Sequence, residues 1–329
     1  MDTYLKSLQT CLHYIFETCP EAVFLGEDIL DPYGGAFKVS LGLSSKFPNR
    51  VLTTPISEAS IIGVSNGLAL RGFRPIAEIM FGDFLTLCAD QIVNHAVKFK
   101  RMYNDKVDVP IVIRTPMGGG RGYGPTHSQS LEKMFLGVPH LRVVAPSHLH
   151  NPGEILAYAV KIERSPVLFI EHKLLYPLTR HIENVSYSSE IEGYPTVIHQ
   201  NYLGNLIPDV TIIAYGGISR LLFPLVEELA NEEIRVQLVM PSSIKPLPVQ
   251  TILDYSKRSL KIIIVEESAG GFNWGSEVAS VIYEHLYDKL KSPIKRLYSE
   301  DDIIPTSSVM EDQMLISVEA IREAVFEIL

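Results

Sequence analysis

Cysteine is scarce: three residues among 329, at positions 11, 19 and 88, with no C-x-x-C pair and no metal spacing. That pattern excludes a disulfide framework and a cysteine-based zinc site, and the three read as reduced thiols. No H-E-x-x-H occurs either. Basic residues are outnumbered, 29 Lys and Arg against 38 Asp and Glu, for a formal charge of −9. A general nucleic-acid or anionic-membrane binder needs a basic face, so neither partner is expected. No apolar run approaches the ~20 residues that span a bilayer. The opening M-D-T-Y-L-K-S has neither a signal-peptide core nor an Arg-rich transit pattern, so a soluble cytoplasmic protein is expected. Charged residues make up only 20%, against 46% hydrophobic, which suggests that a partner subunit covers some apolar surface.

What is present is alternation. After an opening helix, strands are expected at Ala22–Leu25, at Val51–Thr53, and from Pro75, Pro110, Leu141 and Pro166. Helices are expected between them, notably over Leu85–Tyr103 and Gly153–Glu163, and such alternation signals βαβ units in a parallel sheet. From His172 to about Leu206 the pattern weakens. A second series follows, with strands at Val210–Ala214, Val236–Met240 and Lys261–Val265, and a closing amphipathic helix over Met314–Ile328. The expected fold class is α/β with two domains, residues 1–185 and 206–329, joined by a linker at 186–205.

Glu58 is the most informative residue. Pro55 blocks both ladder pairing and an immediate helix, Ser57 is a good N-cap, and Glu58 falls in the first helical turn. A carboxylate there usually just complements the helix dipole. It also lies at a strand-to-helix junction, where α/β proteins place ligand sites. Gly63-Val64-Ser65-Asn66-Gly67 fits the G-x-S-x-G of serine hydrolases. That elbow needs a turn directly between strand and helix, whereas this serine falls about two turns inside the helix. The loop Met117–Pro125 holds five glycines but lacks the Lys-Ser/Thr of a phosphate loop, so it reads as a mobile active-site loop.

The ordered segments G-E-D-I-L from Gly26, G-G-A-F-K-V-S from Gly34, T-P-I-S-E from Thr54, G-F-R-P-I-A-E-I-M-F-G-D-F from Gly72, V-P-I-V-I-R-T-P from Val109 and H-S-Q-S-L-E from His127 span much of the chain. Together they resemble the beta subunit of thiamin-diphosphate-dependent 2-oxo acid dehydrogenases. The resemblance implies a transketolase-like pyrimidine-binding domain followed by a transketolase C-terminal domain. It matches Glu58 to the glutamate that hydrogen-bonds a pyrimidine nitrogen of the cofactor, and Phe84 to the aromatic that packs on that ring. Met80 and the backbone of Ile56 are implied secondary contacts. His127 matches the histidine beside the substrate end of the cofactor, and Arg121 is a candidate for an anionic substrate or partner. An alkali-metal site, potassium in this family, is implied on backbone carbonyls near Ile111, Ala159 and Val160. Residues Lys161 to Ser165 carry one residue more than that pattern.

The family's diphosphate signature is G-D-G followed, some tens of residues later, by an Asn pair. This chain offers only Gly82-Asp83-Phe84 and Gly26-Glu27-Asp28. The implied consequence is an alpha-type partner that holds the diphosphate and its Mg2+, an α2β2 assembly, and a C-terminal domain able to dock a lipoyl acyltransferase core. Two other readings stay open: transketolase-like transfer in a specialised pathway, and a non-catalytic assembly subunit. A neighbouring gene for a G-D-G chain favours the thiamin readings, and a neighbouring lipoyl-domain gene the dehydrogenase.

Overall fold

The computed structural model describes residues 2–180 and 183–329. Two sheets carry the chain. The first holds β1 (Ala22–Gly26), β2 (Val51–Thr53), β3 (Arg74–Glu78), β4 (Val112–Met117), β5 (Arg142–Val144) and β6 (Val167–His172). The second holds β7 (Val185–Ser188), β8 (Thr196–Gln200), β9 (Val210–Ala214), β10 (Val236–Pro241), β12 (Ile262–Ala269) and β13 (Lys295–Ser299). The remaining strand, β11 (Ser243–Lys245), leaves the second half and joins the first sheet, antiparallel to β5.

The order of the first sheet is β11-β5-β6-β4-β3-β1-β2, with β1 to β6 parallel. These strands are continuous apolar runs because helices cover both faces: every residue of β1, β4 and β6 is buried. The chain steps from β1 outward to β2 and then back across to β3. That reversal makes the C-terminal ends of β1, β2 and β3 the natural crevice of the sheet. In the second sheet, order β13-β12-β9-β10-β8-β7, only β8 runs against the others, pairing antiparallel with both β10 and β7. Among the described residues no helix is long and apolar enough to cross a membrane.

Three expectations are corrected. The stretch 186–205, expected as a linker, is built into the second sheet as most of β7 and all of β8. The edge strand β7 is half-buried to exposed, while β8 buries the polar Thr196 and His199, so no clean apolar alternation marks the hairpin. The expected helix over Leu85–Tyr103 is a 3-10 turn (Gly82–Cys88), a π-helical stretch (Gln91–Ala96) and one α-turn (Phe99–Met102). Asn66 Nδ2, from the facing helix, donates to Gln91 O at 2.9 Å, so a side chain takes a carbonyl at the point where the coil widens. The closing helix is two, Ser308–Met314 and Val318–Ile328. Leu315 is extended, and Ser317 opens the second helix by accepting the Ala320 amide at 3.1 Å.

One apolar cluster includes Val23, Ala77 and Ile113 of the first sheet together with Ile213, Val239 and Trp274 of the second half. The two halves therefore share a core rather than meeting through a thin seam. Buried across β3, β4 and β6 lies an ion group. Arg114 donates to Glu78 Oε2 at 2.6 Å and, through a bidentate pair at 2.7 and 2.6 Å, to Glu171. Tyr176 donates to Glu171 Oε2 at 2.8 Å, and Arg114 is 1% exposed. Burial pushes the Glu78 carboxyl up, with the Arg114 guanidinium opposing it.

Candidate active site

Five of the six parallel strands end toward one region. β1 delivers Glu27, β2 leads to Glu58, β3 to Phe81 and Phe84, β4 to the glycine loop and His127, and β6 to His172 and Lys173. Glu58 opens the helix Glu58–Leu70 and is 5% exposed. Ser57 does occupy the N-cap position, but its hydroxyl bonds Ser60 Oγ at 2.8 Å instead of capping an amide. Among the described residues, none donates a hydrogen bond to the Glu58 carboxylate. A buried glutamate that takes no hydrogen bond on its carboxylate among the described residues suits a ligand donor or a shared proton. Glu27, 7% exposed, has one buried carboxylate oxygen without a partner. Burial, and then the field of Glu58, push its carboxyl up, against the Ser57 amide.

The aromatic wall is contiguous. Phe81 and Phe84 meet edge to face at 5.8 Å, and the His127 ring packs against them at 4.7 and 5.2 Å. Tyr123 joins Phe81 at 6.0 Å, and Arg121 lies over the Phe37 and Tyr123 rings at 5.5 and 5.3 Å. The 3-10 turn Gly82–Cys88 links the two ends of the site: Phe84 touches His127, while Cys88 feels the charge of Glu58. Met80 lies half-buried just beyond β3. Ile56 is 84% exposed, so its side chain stands at the mouth rather than inside.

The motif from His127 fans outward. Gln129 gives its amide and Nε2 to Asp83 Oδ1 at 3.3 and 3.0 Å, Ser130 Oγ donates to Glu267 at 3.1 Å, and Tyr215 OH donates to Glu132. His127 Nδ1 pairs with Thr126 Oγ1 at 2.9 Å, and its carbonyl accepts from Lys173 Nζ. Lys173 is 1% exposed; burial pulls its ammonium down to about 8, against the pull of Asp83 and Glu267. Gly118 is held at φ +97°, where an added Cβ would stand 2.2 Å from His172 Nε2. Only glycine allows the strand to turn there.

His172 Nε2 and Glu267 Oε2 are 2.8 Å apart. Burial alone would raise Glu267; the His172 charge and hydrogen bond with the Gly119 amide outweigh it, holding the carboxyl at about 2. A depressed folded pKa contributes stability that is full above the ordinary carboxylate range and lost as pH falls toward about 2. Acid unfolding followed by circular dichroism should therefore be shallower below pH ~4.5 in Glu267→Gln than in wild type.

The other implied positions divide. Ser65 is fully buried, with its hydroxyl on Ile61 O at 2.7 Å inside the helix, so the hydrolase reading falls. Ile111 O accepts the Val167 amide at 2.9 Å, while Ala159 and Val160 lie in the last turn of the helix Pro152–Lys161, where carbonyls lack intrahelical donors. Among the described residues no group of three or more His, Cys, Asp or Glu could hold a metal ion.

The family model "Transketolase, pyrimidine binding domain" matches residues 2–179. The chain is 36% identical to the pyruvate dehydrogenase E1 component subunit beta of Gracilaria tenuistipitata var. liui, over 92% of this chain and 91% of that protein. It belongs to the beta subunits of the thiamin-diphosphate-dependent 2-oxo acid dehydrogenases. A second model, "Transketolase, C-terminal domain", matches residues 205–321 of this beta-type chain. It is 32% identical to the 2-oxoisovalerate dehydrogenase subunit beta of Bacillus subtilis, over 99% and 98% of the two chains. It is also 32% identical to an acetoin:2,6-dichlorophenolindophenol oxidoreductase subunit beta of Cupriavidus necator, over 93% and 90%. Among solved structures, a split gene transketolase in an inactive beta4 tetramer superimposes with a TM-score of 0.75 at 19% identity, covering 100% and 99% of the two chains. That likeness speaks for the fold alone.

Sequence reasoning missed Glu27, Lys173, Glu267 and Glu311 as residues of this region. Glu27 was visible at the end of a strand. The other three acquire meaning only from partners far away in the chain.

Proposed function

We propose that this chain is the pyrimidine-binding half of an enzyme that decarboxylates a 2-oxo acid and passes the acyl group to lipoamide. The buried Glu58, whose carboxylate takes no hydrogen bond among the described residues, carries this reading. Glu58 would hold the hydrogen bond to a pyrimidine nitrogen, and a low local dielectric strengthens it. Phe84 would orient the ring by packing on its face, with Met80 and the Ile56 backbone as edge contacts. His127 would donate a proton or hydrogen bond to the substrate, and Arg121 would draw an anionic group to the mouth. When bound, thiamin diphosphate supplies the electron sink for breaking the bond between carboxylate and oxo carbon.

The open side of the crevice supports a partner. Ile56, Val64 and Leu87 are 84%, 54% and 59% exposed around the Glu58 helix and the turn that follows β3. An alpha-type subunit carrying the diphosphate site and its Mg2+ would cover them in an α2β2 assembly. A lipoyl acyltransferase core is the proposed acceptor, the cytoplasm the proposed compartment, and the Ile111, Ala159 and Val160 carbonyls the proposed potassium seat.

The test is reconstitution with an alpha-type subunit, thiamin diphosphate and magnesium. Pyruvate, branched 2-oxo acids and acetoin are then offered with an artificial electron acceptor. Release of carbon dioxide from a 2-oxo acid is the expected result. A fully assembled complex that turns over acetoin alone would replace this reading with acetoin cleavage, and one inert to every substrate would leave an assembly subunit.

A further inference from the structure

Two carboxylates from the second half of the chain reach into the glycine loop. Glu267, in β12, accepts the Gly119 amide at 2.8 Å. Glu311, in the helix Ser308–Met314, accepts the Gly120 amide at 2.9 Å on one oxygen and the Gly122 amide at 2.7 Å on the other. Glu311 is 1% exposed. The same segment seats the loop sterically: a Cβ on Gly119 would stand 2.8 Å from Leu315 Cδ1, and one on Gly124 would stand 3.5 Å from Thr306 Oγ1.

The physical balance favours a clamp. A loop with five glycines loses much backbone entropy when fixed, so something must offset that loss. Amide-to-carboxylate bonds are charge-assisted and stronger than neutral ones. Opening the loop would break both of these charge-assisted bonds to Glu311 at once. Arg121 lies between the two amides that Glu311 holds, and Tyr123, which touches Phe81, comes directly after them. His127 follows two residues beyond Pro125.

We propose that Glu311 is a positioning residue that holds the glycine loop closed, so that Arg121, Tyr123 and His127 keep their places beside Phe81 and Phe84. What those residues do there rests on the function proposed above; the clamp itself does not. On this view the C-terminal domain takes part in catalysis by ordering a loop of the first domain.

Arg121 is exposed and makes a built-in reporter, because trypsin cuts after arginine only when the backbone can open. The full-length chain and its Glu311→Gln and Glu311→Ala variants are compared by limited trypsin digestion, with each cut mapped by mass. Steady-state kinetics are run on the holoenzyme with its alpha partner. In Glu311→Ala the cut after Arg121 should quicken at least about tenfold, while other sites and the melting temperature move little. Glu311→Gln keeps one acceptor oxygen and should fall between. In the holoenzyme, kcat/KM should drop by about tenfold or more in Glu311→Ala, with partial recovery in Glu311→Gln. An unchanged rate of cutting at Arg121 in a folded Glu311→Ala protein overturns the proposal. So does a general rise in cutting at every site, since Glu311 would then be an ordinary stability residue. Faster cutting at Arg121 in a complex inert toward every 2-oxo acid upholds the clamp and removes the proposed reaction instead.

Discussion

Glu58→Gln should leave a soluble chain that still assembles with its alpha partner, and reduce turnover of a 2-oxo acid by about 10²–10⁴-fold, the range of a lost proton-transfer group. The substitution is nearly isosteric, so packing at the start of the helix Glu58–Leu70 is kept. What changes is charge and proton affinity. A carboxamide can still hydrogen-bond a ring nitrogen, but it cannot accept and return a proton at neutral pH. Its loss also removes the field that raises the proton affinity of Glu27, so the pH profile of residual activity should shift as well as fall. Carbon dioxide release, measured beside gel filtration of the complex, checks both halves. Turnover within threefold of wild type in an intact complex would sink the role assigned to Glu58.

The second large effect lies in the core. Arg114→Met should destabilise the chain by about 3–5 kcal/mol, because it strands two buried carboxylates rather than removing a surface charge. Glu171 is fully buried and Glu78 nearly so, and Arg114 is within hydrogen-bond distance of both. Without the guanidinium each carboxylate must be neutralised by a proton or remain an unpaired buried anion. A carboxyl whose folded proton affinity is raised contributes its stability below the unfolded pKa and loses it as pH rises. The deficit of Arg114→Met should therefore be larger at pH 8 than at pH 5. Urea unfolding at the two pH values measures it, and equal deficits would mean that the charges are screened or rearranged. Replacing Glu78 and Glu171 by apolar residues in the same variant should recover much of the loss, since an ion group exchanged whole for hydrocarbon is close to neutral.

The catalytic candidates were legible in the sequence because each follows a strand end with a recognisable local grammar. Pro55 and Ser57 mark where the helix begins, so Glu58 could be placed at its first turn without coordinates. The Phe81–Phe84 turn and the glycine loop announce themselves by composition. The supports were not legible. Nothing around Glu311 distinguishes it from a surface glutamate on a short helix, yet its partners lie 189 and 191 residues away. Lys173 reads as one more solvated lysine until β6 carries it under the His127 carbonyl. The expected helix over Leu85–Tyr103 failed for a related reason: periodicity counts apolar residues, but it cannot see Asn66 taking the Gln91 carbonyl.

The sequence by itself determined the α/β alternation and the family, and set the candidate residues Glu58, Phe84 and His127 after strand ends, because those rest on local propensity and on apolar runs that must be buried. Only the tertiary structure decided how the halves are joined: β11 crosses to the first sheet, one apolar cluster spans both halves, and two distant carboxylates hold the glycine loop. The physical reason is range. Hydrophobic pattern and turn chemistry act over a few residues, whereas a hydrogen bond to a buried amide is chosen by whichever acceptor the folded chain brings within 3 Å.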